Sequence, residues 1–337
     1  MGQVAHDMKV LVTGGGGFLG SAIIQALTAS GHSARSFSRG DYPHLRAAGV
    51  EVRRGDICDA RALRLAADGC DAVIHAAAKA GVWGAADEYQ RINVQGTQNV
   101  IDVCRELNIE RLVYTSSPSV VFAGEDENGI DESVPYPQHY LAHYPRTKAL
   151  AEQAVLAAND ARLATVALRP HLIWGPGDPH LVPRIVARAR AGKLALLGAG
   201  KNRVDSTYVD NAAQAHLLAL QKIGPKAACA GKAYFISNGE PLAMRELLNA
   251  ILAAAQLPPV ERRVSPRLAY VIGSVLEIAY RVCGLQNEPI MTRFVARQLS
   301  THHWFRLDAA RRDLGYQPGV SLAEGFERLR DSLVRLT

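Results

Sequence analysis

Tyr144 and Lys148 stand four residues apart in Tyr144-Pro145-Arg146-Thr147-Lys148, a spacing that puts two side chains on one face of a helix. An ammonium about 4 Å from a phenol, at an effective dielectric of about 20, favours the phenolate by about 4 kcal/mol before desolvation offsets part of it. The pair is suited to exchanging a proton with an oxygen on which charge develops, as happens when a hydride adds to a ketone. The reading expects the phenol to titrate up to about three units below its ordinary value. Ser117 can hydrogen-bond the same oxygen. It follows the apolar run Arg111-Leu112-Val113-Tyr114-Thr115, and open α/β sheets collect their ligands at the carboxyl ends of such strands. A tyrosine–lysine pair alone is a weak signal; the serine makes it specific.

The elements that must carry these groups begin with Lys9-Val10-Leu11-Val12-Thr13, a buried strand that breaks into Gly14-x-x-Gly17-x-x-Gly20 and continues as the helical pattern Ser21–Leu27. Strand, glycine turn and helix together form a dinucleotide cradle, because glycines let the backbone approach a pyrophosphate and the helix start offers free N–H groups. Gly14, Gly16, Gly17, Phe18 and Leu19 are its candidate residues. A second strand, Ala34–Arg39, ends in Ser38-Arg39 where a carboxylate would select the ribose of NAD. A hydroxyl and a guanidinium suit a 2′-phosphate instead, so NADP(H) is expected, although Asp41 lies close by. Asp56, followed by Ile57 after a third strand, either accepts from the adenine or caps the next helix. The fourth strand runs Asp71–Ala78, and the small Ala76, Ala77 and Ala78 let a cofactor lie against the backbone. His75 within it reads as a structural histidine. A long helical pattern from Ala86 to Leu107 carries Asn93, a helix spans Tyr144–Asn159, and Ala164–Pro170 is a sixth strand. Alternating strands and helices predict a doubly wound parallel sheet.

At 337 residues a second, smaller domain is expected. The division falls at residues 8–175 for the dinucleotide-binding domain, with about 204–237 returning to it, and 176–203 plus 238–337 for a mainly helical substrate domain. Asp210 reads as the N-cap of a helix running to Leu220. Net charge is +6 but scattered, which argues against nucleic acid and suits anionic ligands. Five cysteines without metal-ligand spacing suggest reduced thiols in the cytoplasm and no metal. Residues 1–7 are polar and read as an extension before Met8, and no apolar run approaches a membrane span of about 20 residues. Leu268, Val271, Ile272, Val275, Leu276 and Ala279 form an apolar stripe, and Met291, Phe294, Val295 and Leu299 form another. Core packing, a lid over a greasy substrate and a face for lipid or a protein partner all stay open.

The chain resembles the extended short-chain dehydrogenase/reductases over nearly its whole length. Thr13–Gly20, Gly55-Asp56-Ile57, His75–Ala78, Asn93-Val94-Gln95-Gly96-Thr97, Ser116-Ser117 and Tyr144–Lys148 carry the likeness. It implies catalytic roles for Ser117, Tyr144 and Lys148 and a proton-path role for Asn93. It also implies cofactor contacts from Lys79, Thr115, Ser116, Pro170, His171 and Leu172. Ser116–Phe122, Arg169–Gly177 and His302–Phe305 point to the 3β-hydroxysteroid dehydrogenase branch. Ala77-Ala78-Lys79-Ala80-Gly81-Val82-Trp83-Gly84 is similar to bacterial reductases of 2-alkyl-3-oxoalkanoates in olefin biosynthesis. That likeness implies NADPH-dependent reduction of a long-chain β-keto acid, with Lys79, Trp83, Ser117, Ser119, His171 and Arg184 near the substrate. It also implies a homodimer built from the Asn93 and Tyr144 helices. The rivals are a sterol dehydrogenase, a nucleotide-sugar epimerase or dehydratase using Arg203, and a cofactor-sensing module without turnover.

Overall fold

The computed structural model describes residues 7–335, so the reading of residues 1–6 as an extension lies outside it. Five short runs form β1 (Lys9–Thr13), β2 (Ser33–Ser38), β3 (Glu51–Arg54), β4 (Ala72–His75) and β5 (Arg111–Thr115), largely buried except for the edge strand β3, which ends in two exposed arginines. β6 (Glu127–Ile130) leaves this group, and β7 (Ala164–Pro170) rejoins it with every residue buried. With Lys232–Ile236 at one edge, the strands make a seven-stranded parallel sheet. Its order is 232–236, β7, β5, β4, β1, β2, β3. The chain turns outward in both directions from the β1–β4 junction, the crevice where such sheets take their ligand. The edge strand and β6 had no clear signal in sequence. Lys232–Ile236 is only five residues and opens on an exposed lysine, and β6 is Glu-Asn-Gly-Ile.

Helices cover both faces. α1 (Phe18–Ala29) packs Ile23, Ile24 and Leu27 on one side, beside the helix Val209–Lys222. The short turn α2 (Pro43–Ala47) joins the same cluster through Leu45, while α3 (Ala60–Ala67) packs on the other side through Leu63. The 86–107 pattern is α4 (Ala86–Tyr89) and α5 (Gly96–Glu106) joined by a π-helical turn at Gln90–Gln95. α6 (His143–Ala157) completes this layer through Ala151 and Val155. A further cluster around Trp174, Ile185, Leu248, Ile251 and Leu329 lies off the end of the sheet.

Two capping expectations are corrected. Asp59, not Asp56, caps α3, accepting from the Ala62 N–H at 3.0 Å. Asp56 instead closes a local turn onto the Cys58 N–H at 2.9 Å. Asp210 already lies inside its helix, after Tyr208, and pairs with Arg328 at 3.1 Å. There a carboxylate complements the helix dipole without capping it.

The two apolar stripes part company. Phe294 in the helix Arg293–Ser300 is buried, with Met291 and Leu299 packed inward. Pro266–Val282 buries Ala269, Gly273 and Glu277, while Leu268, Val271, Ile272 and Val275 are exposed. A Cβ on Gly273 would lie 2.6 Å from the Thr292 carbonyl carbon. The small residues therefore form the packed side, because the neighbouring backbone approaches too closely for large ones.

Candidate active site

β5 ends at Thr115, and the chain turns so that Ser117 opens a short 3₁₀ segment, its Oγ 2.9 Å from Ser119 Oγ. Opposite, α6 starts at His143, which places Tyr144 in its first turn and Lys148 one turn further. Ser117 lies near enough to Tyr144 to favour its ionised form. Lys148 Nζ donates to the Thr115 carbonyl at 2.6 Å and lies 4.1 Å from the centre of the Tyr114 ring. The three groups thus meet where β5 and α6 converge.

The electrostatics overturn one expectation. Burial raises the Tyr144 phenol above its ordinary value, and the nearby Ser117 side chain only partly opposes this. Burial also pulls Lys148 down to about 7, with Glu152 acting the other way. A lysine whose charge is this costly, and whose N–H is already given to Thr115, does not draw the phenol down. Burial thus favours the neutral phenol of Tyr144.

Asn93 sits in the π-helical turn, almost fully buried. Its Oδ1 accepts from the Lys79 N–H at 2.7 Å, and its Nδ2 donates to the Lys79 carbonyl at 3.1 Å and to Thr147 Oγ1 at 3.0 Å. One amide thereby ties the loop after β4 to the turn between Tyr144 and Lys148. The extra residue of a π turn aims a side chain out of helical register, a device common at functional sites. His75 is fully buried and pulled down to about 3 by burial and the Lys148 charge. Thr97 Oγ1 donates to the Asn93 carbonyl, so His75 Nε2–H donates to Thr97 and Nδ1 accepts from Thr13 Oγ1. Thr13 Oγ1 in turn accepts from the Ala77 N–H at 3.3 Å. His75 is the structural histidine expected.

The glycine turn fits a dinucleotide. Gly14 has φ +72°, and a Cβ there would lie 2.9 Å from the Ala77 nitrogen. α1 starts after Gly17 with neither a side-chain cap nor an acid in its first turn, which leaves its N–H groups for an anion. The buried Ser116 hydroxyl has no hydrogen-bond partner among the described residues. Phe18 and Leu19 open α1, and Ala76 and Ala78 follow β4. Ser38 Oγ accepts from the Gly16 N–H at 3.1 Å, Arg39 is exposed, and Arg54 Nε donates to the Arg39 carbonyl at 2.8 Å. Asp41 pairs with Arg46 at 2.7 Å and so does not occupy this corner. Asp56 lies beside Arg91 at 3.7 Å, and Ile57 packs against Gly96. Pro170 ends β7, and Leu172 follows in the left-handed region at φ +42°.

Several of the candidate substrate residues already have partners within the chain. Lys79 pairs with Glu88 at 2.8 Å, Arg184 with Glu288 at 3.2 Å, and buried His171 is pulled down to about 3 by burial. Trp83 borders a cavity of about 480 Å³ walled by Tyr140, Leu141, Tyr280 and Leu285, with Ala142, His143 and Arg146 on either side of Tyr144. Arg146 makes no ion pair among the described residues. Burial, Arg146 and Arg281 all pull the His143 imidazole down, the mark of a positive potential. Sequence reading missed Arg146, although it lies inside the Tyr144–Lys148 motif. It also missed Arg54 and His216. His216 Nδ1–H donates to the Ala212 carbonyl, so Nε2 accepts from Thr115 Oγ1 at 2.8 Å.

A parallel sheet wound 3-2-1-4-5, a glycine turn at its switch point and a serine, tyrosine and lysine at the end of β5 define an NAD(P)-dependent oxidoreductase of the extended short-chain dehydrogenase/reductase type. Residues 11–264 match the 3-beta hydroxysteroid dehydrogenase/isomerase family, and the chain belongs to it. It is 55% identical to a 2-alkyl-3-oxoalkanoate reductase of Stenotrophomonas maltophilia over 96% of this chain and 99% of that one. It is 54% identical to a protein of the same name from Shewanella oneidensis, over 98% and 87%. The fold is also similar to UDP-glucose 4-epimerase of Thermus thermophilus solved with NAD, with a TM-score of 0.75, 25% identity and coverage of 98% and 100%.

Proposed function

We propose that the chain reduces the 3-oxo group of a long-chain 2-alkyl-3-oxoalkanoate to the secondary alcohol, with NADPH as reductant. The observation that carries this is the cavity next to the start of α6, where Trp83, Tyr140, Leu141, Tyr280 and Leu285 meet a basic side made by Arg146, Arg281 and Arg293, the last two paired with Glu277. A β-keto acid with two alkyl tails has that combination of chemistry. A sterol without a carboxylate offers that basic side no anionic partner.

The glycine turn and the Ser38–Arg39 corner would hold the dinucleotide, and when bound it supplies the hydride for C3. Ser117 and Tyr144 hydrogen-bond the ketone oxygen. As that oxygen gains charge, Tyr144 passes it the phenolic proton, and the alcohol is complete. Lys148, next to Thr115, orients the ribose and as an ammonium eases proton return to Tyr144. Asn93 fixes the turn that carries both groups. The same reading has the chain act as a homodimer through α5 and α6.

The test is NADPH and NADH consumption with a long-chain 2-alkyl-3-oxo acid, the matching ketone without its carboxylate, and a 3-oxosteroid. The acid is expected to be the best substrate, and Arg146→Met should lower its kcat/KM about tenfold, an ion pair's worth of about 1.4 kcal/mol, without affecting the ketone. Arg39→Asp is expected to shift preference towards NADH. Preferred turnover of the steroid overturns the substrate; an unchanged cofactor ratio overturns the assignment of NADPH.

A further inference from the structure

The helix Pro266–Val282 packs inward through the small Ala269 and Gly273 and one acid, Glu277. Glu277 is buried, and its carboxylate accepts from the Arg293 N–H at 2.7 Å and from Arg293 Nε at 3.0 Å. Outward, Val275 is 59% exposed, Ile278 62% and Val282 81%. At 3.6 residues per turn, Leu268, Val271, Ile272, Val275, Ile278, Ala279 and Val282 occupy an arc of about 120°. No charged or hydrogen-bonding side chain falls inside that arc. The apolar surface continues past the helix through Leu285 and Ile290, both exposed.

We propose that this face docks on an anionic lipid surface, with the helix lying along the membrane plane. The charge around the arc is complementary to such a surface. Arg267 and Arg281 border it, and Arg262 and Arg263 are exposed just before the helix, against Glu261 as the one exposed acid there. Trp83 stands at the C-terminal margin, edge-on to Tyr280 and donating to the Leu285 carbonyl at 3.1 Å. Amphipathic aromatics take that position at a lipid–water boundary. An aliphatic arc with a cationic rim is what an in-plane helix requires. A protein interface would instead centre on aromatic or arginine anchors, and a second copy packed about a twofold axis would oppose two basic rims. None of the helices among the described residues is long and apolar enough to cross a membrane. The cavity shares Trp83, Tyr280, Arg281 and Leu285 with this margin, so docking sets its mouth at the lipid boundary, where an alkyl-chain substrate is dissolved.

The test is co-sedimentation of the full chain with vesicles of equal parts phosphatidylcholine and phosphatidylglycerol, which reads binding without turnover and stands apart from the substrate assignment. The wild-type chain is expected to sediment with these vesicles and at least tenfold less with pure phosphatidylcholine. Val275→Asp/Ile278→Asp should lose more than tenfold in vesicle affinity while keeping its thermal midpoint and its turnover of a short, water-soluble 3-oxo acid. If the aspartates unfold the chain, Val275→Ser/Ile278→Ser replaces them, with loss of binding expected again. Three results overturn the proposal. The wild-type chain stays in the supernatant, the folded variant binds unchanged, or the substitutions shrink the particle in vesicle-free buffer, which makes the face a contact between copies.

Discussion

α6 and the helix Pro266–Val282 break the same rule in opposite directions. α6 draws charged groups inward: Lys148 is 3% exposed and Glu152 is completely buried. The 266–282 helix turns aliphatic groups outward and hides an acid. In α6 each buried charge has a partner. Glu152 takes Arg169 through Nη2 at 2.6 Å and Nε at 3.0 Å, and Tyr136 OH at 2.6 Å, while Lys148 holds the Thr115 carbonyl. Burial there is tolerated because it places a lysine under a tyrosine. In the outer helix Glu277 is equally well satisfied, yet nothing in the described chain covers the aliphatic side. The contrast separates an inversion completed within the fold from one that leaves a surface.

The largest effect is expected at Tyr144. Tyr144→Phe keeps the ring and removes the proton, so kcat should fall on the order of 10³-fold, about 4 kcal/mol, with cofactor affinity retained. Stopped-flow hydride transfer and cofactor titration check both halves; a loss below tenfold sinks the proton-donor role. Next comes the ion pair that the α6 inversion needs. Arg169→Met removes the guanidinium paired with the buried Glu152 carboxylate and leaves it the Tyr136 hydroxyl, a cost of about 3–5 kcal/mol in unfolding free energy. Urea denaturation measures it. Arg169→Met with Glu152→Met should recover most of the loss, because the cost lies in the unpaired charge.

These partners also show what sequence could and could not reveal. The sheet, the glycine turn and the Ser117, Tyr144 and Lys148 cluster were legible, because local periodicity and short motifs encode them. The hydride chemistry and the family followed from the same residues. Asn93 was legible as a site residue through the family resemblance, but the π turn that aims it was not, since such a turn has no spacing signature of its own. The pKa direction of Tyr144 was misread, because the distance argument left out how far burial would also discharge Lys148. Lys79 and Arg184 looked like free cations, and only the fold reveals Glu88 and Glu288 beside them. The stripe at 268–279 was legible as amphipathic but not as inverted. Which side packs is decided by Gly273 meeting the Thr292 backbone, a contact between segments that sequence periodicity does not contain.

Gly273→Ala probes that contact. The added methyl would sit 2.6 Å from the Thr292 carbonyl carbon and push the two helices apart, for an expected loss of about 1–3 kcal/mol. Chemical denaturation should register it with kcat for short substrates unchanged. An alanine tolerated without cost removes close packing as the reason the small residues face inward.

The smallest effect tests whether α6 really holds a discharged lysine. With Lys148 near 7 in the fold and near its ordinary value of about 10.4 when unfolded, the unfolded chain binds the extra proton between those limits. Stability should therefore rise with pH across that window, by up to about 1.4 kcal/mol per unit, and Lys148→Met should abolish the rise. The same titration acts on function with the opposite sign. The ammonium that faces an anionic cofactor is lost as pH climbs through about 7, so kcat/KM for the cofactor should decline by up to about tenfold per unit there. Lys148→Arg, which stays charged, should flatten that limb. A wild-type profile level from pH 6 to 9 would mean that the lysine keeps its proton in the fold, and the contrast between the two helices would then rest on the exposed aliphatic face alone.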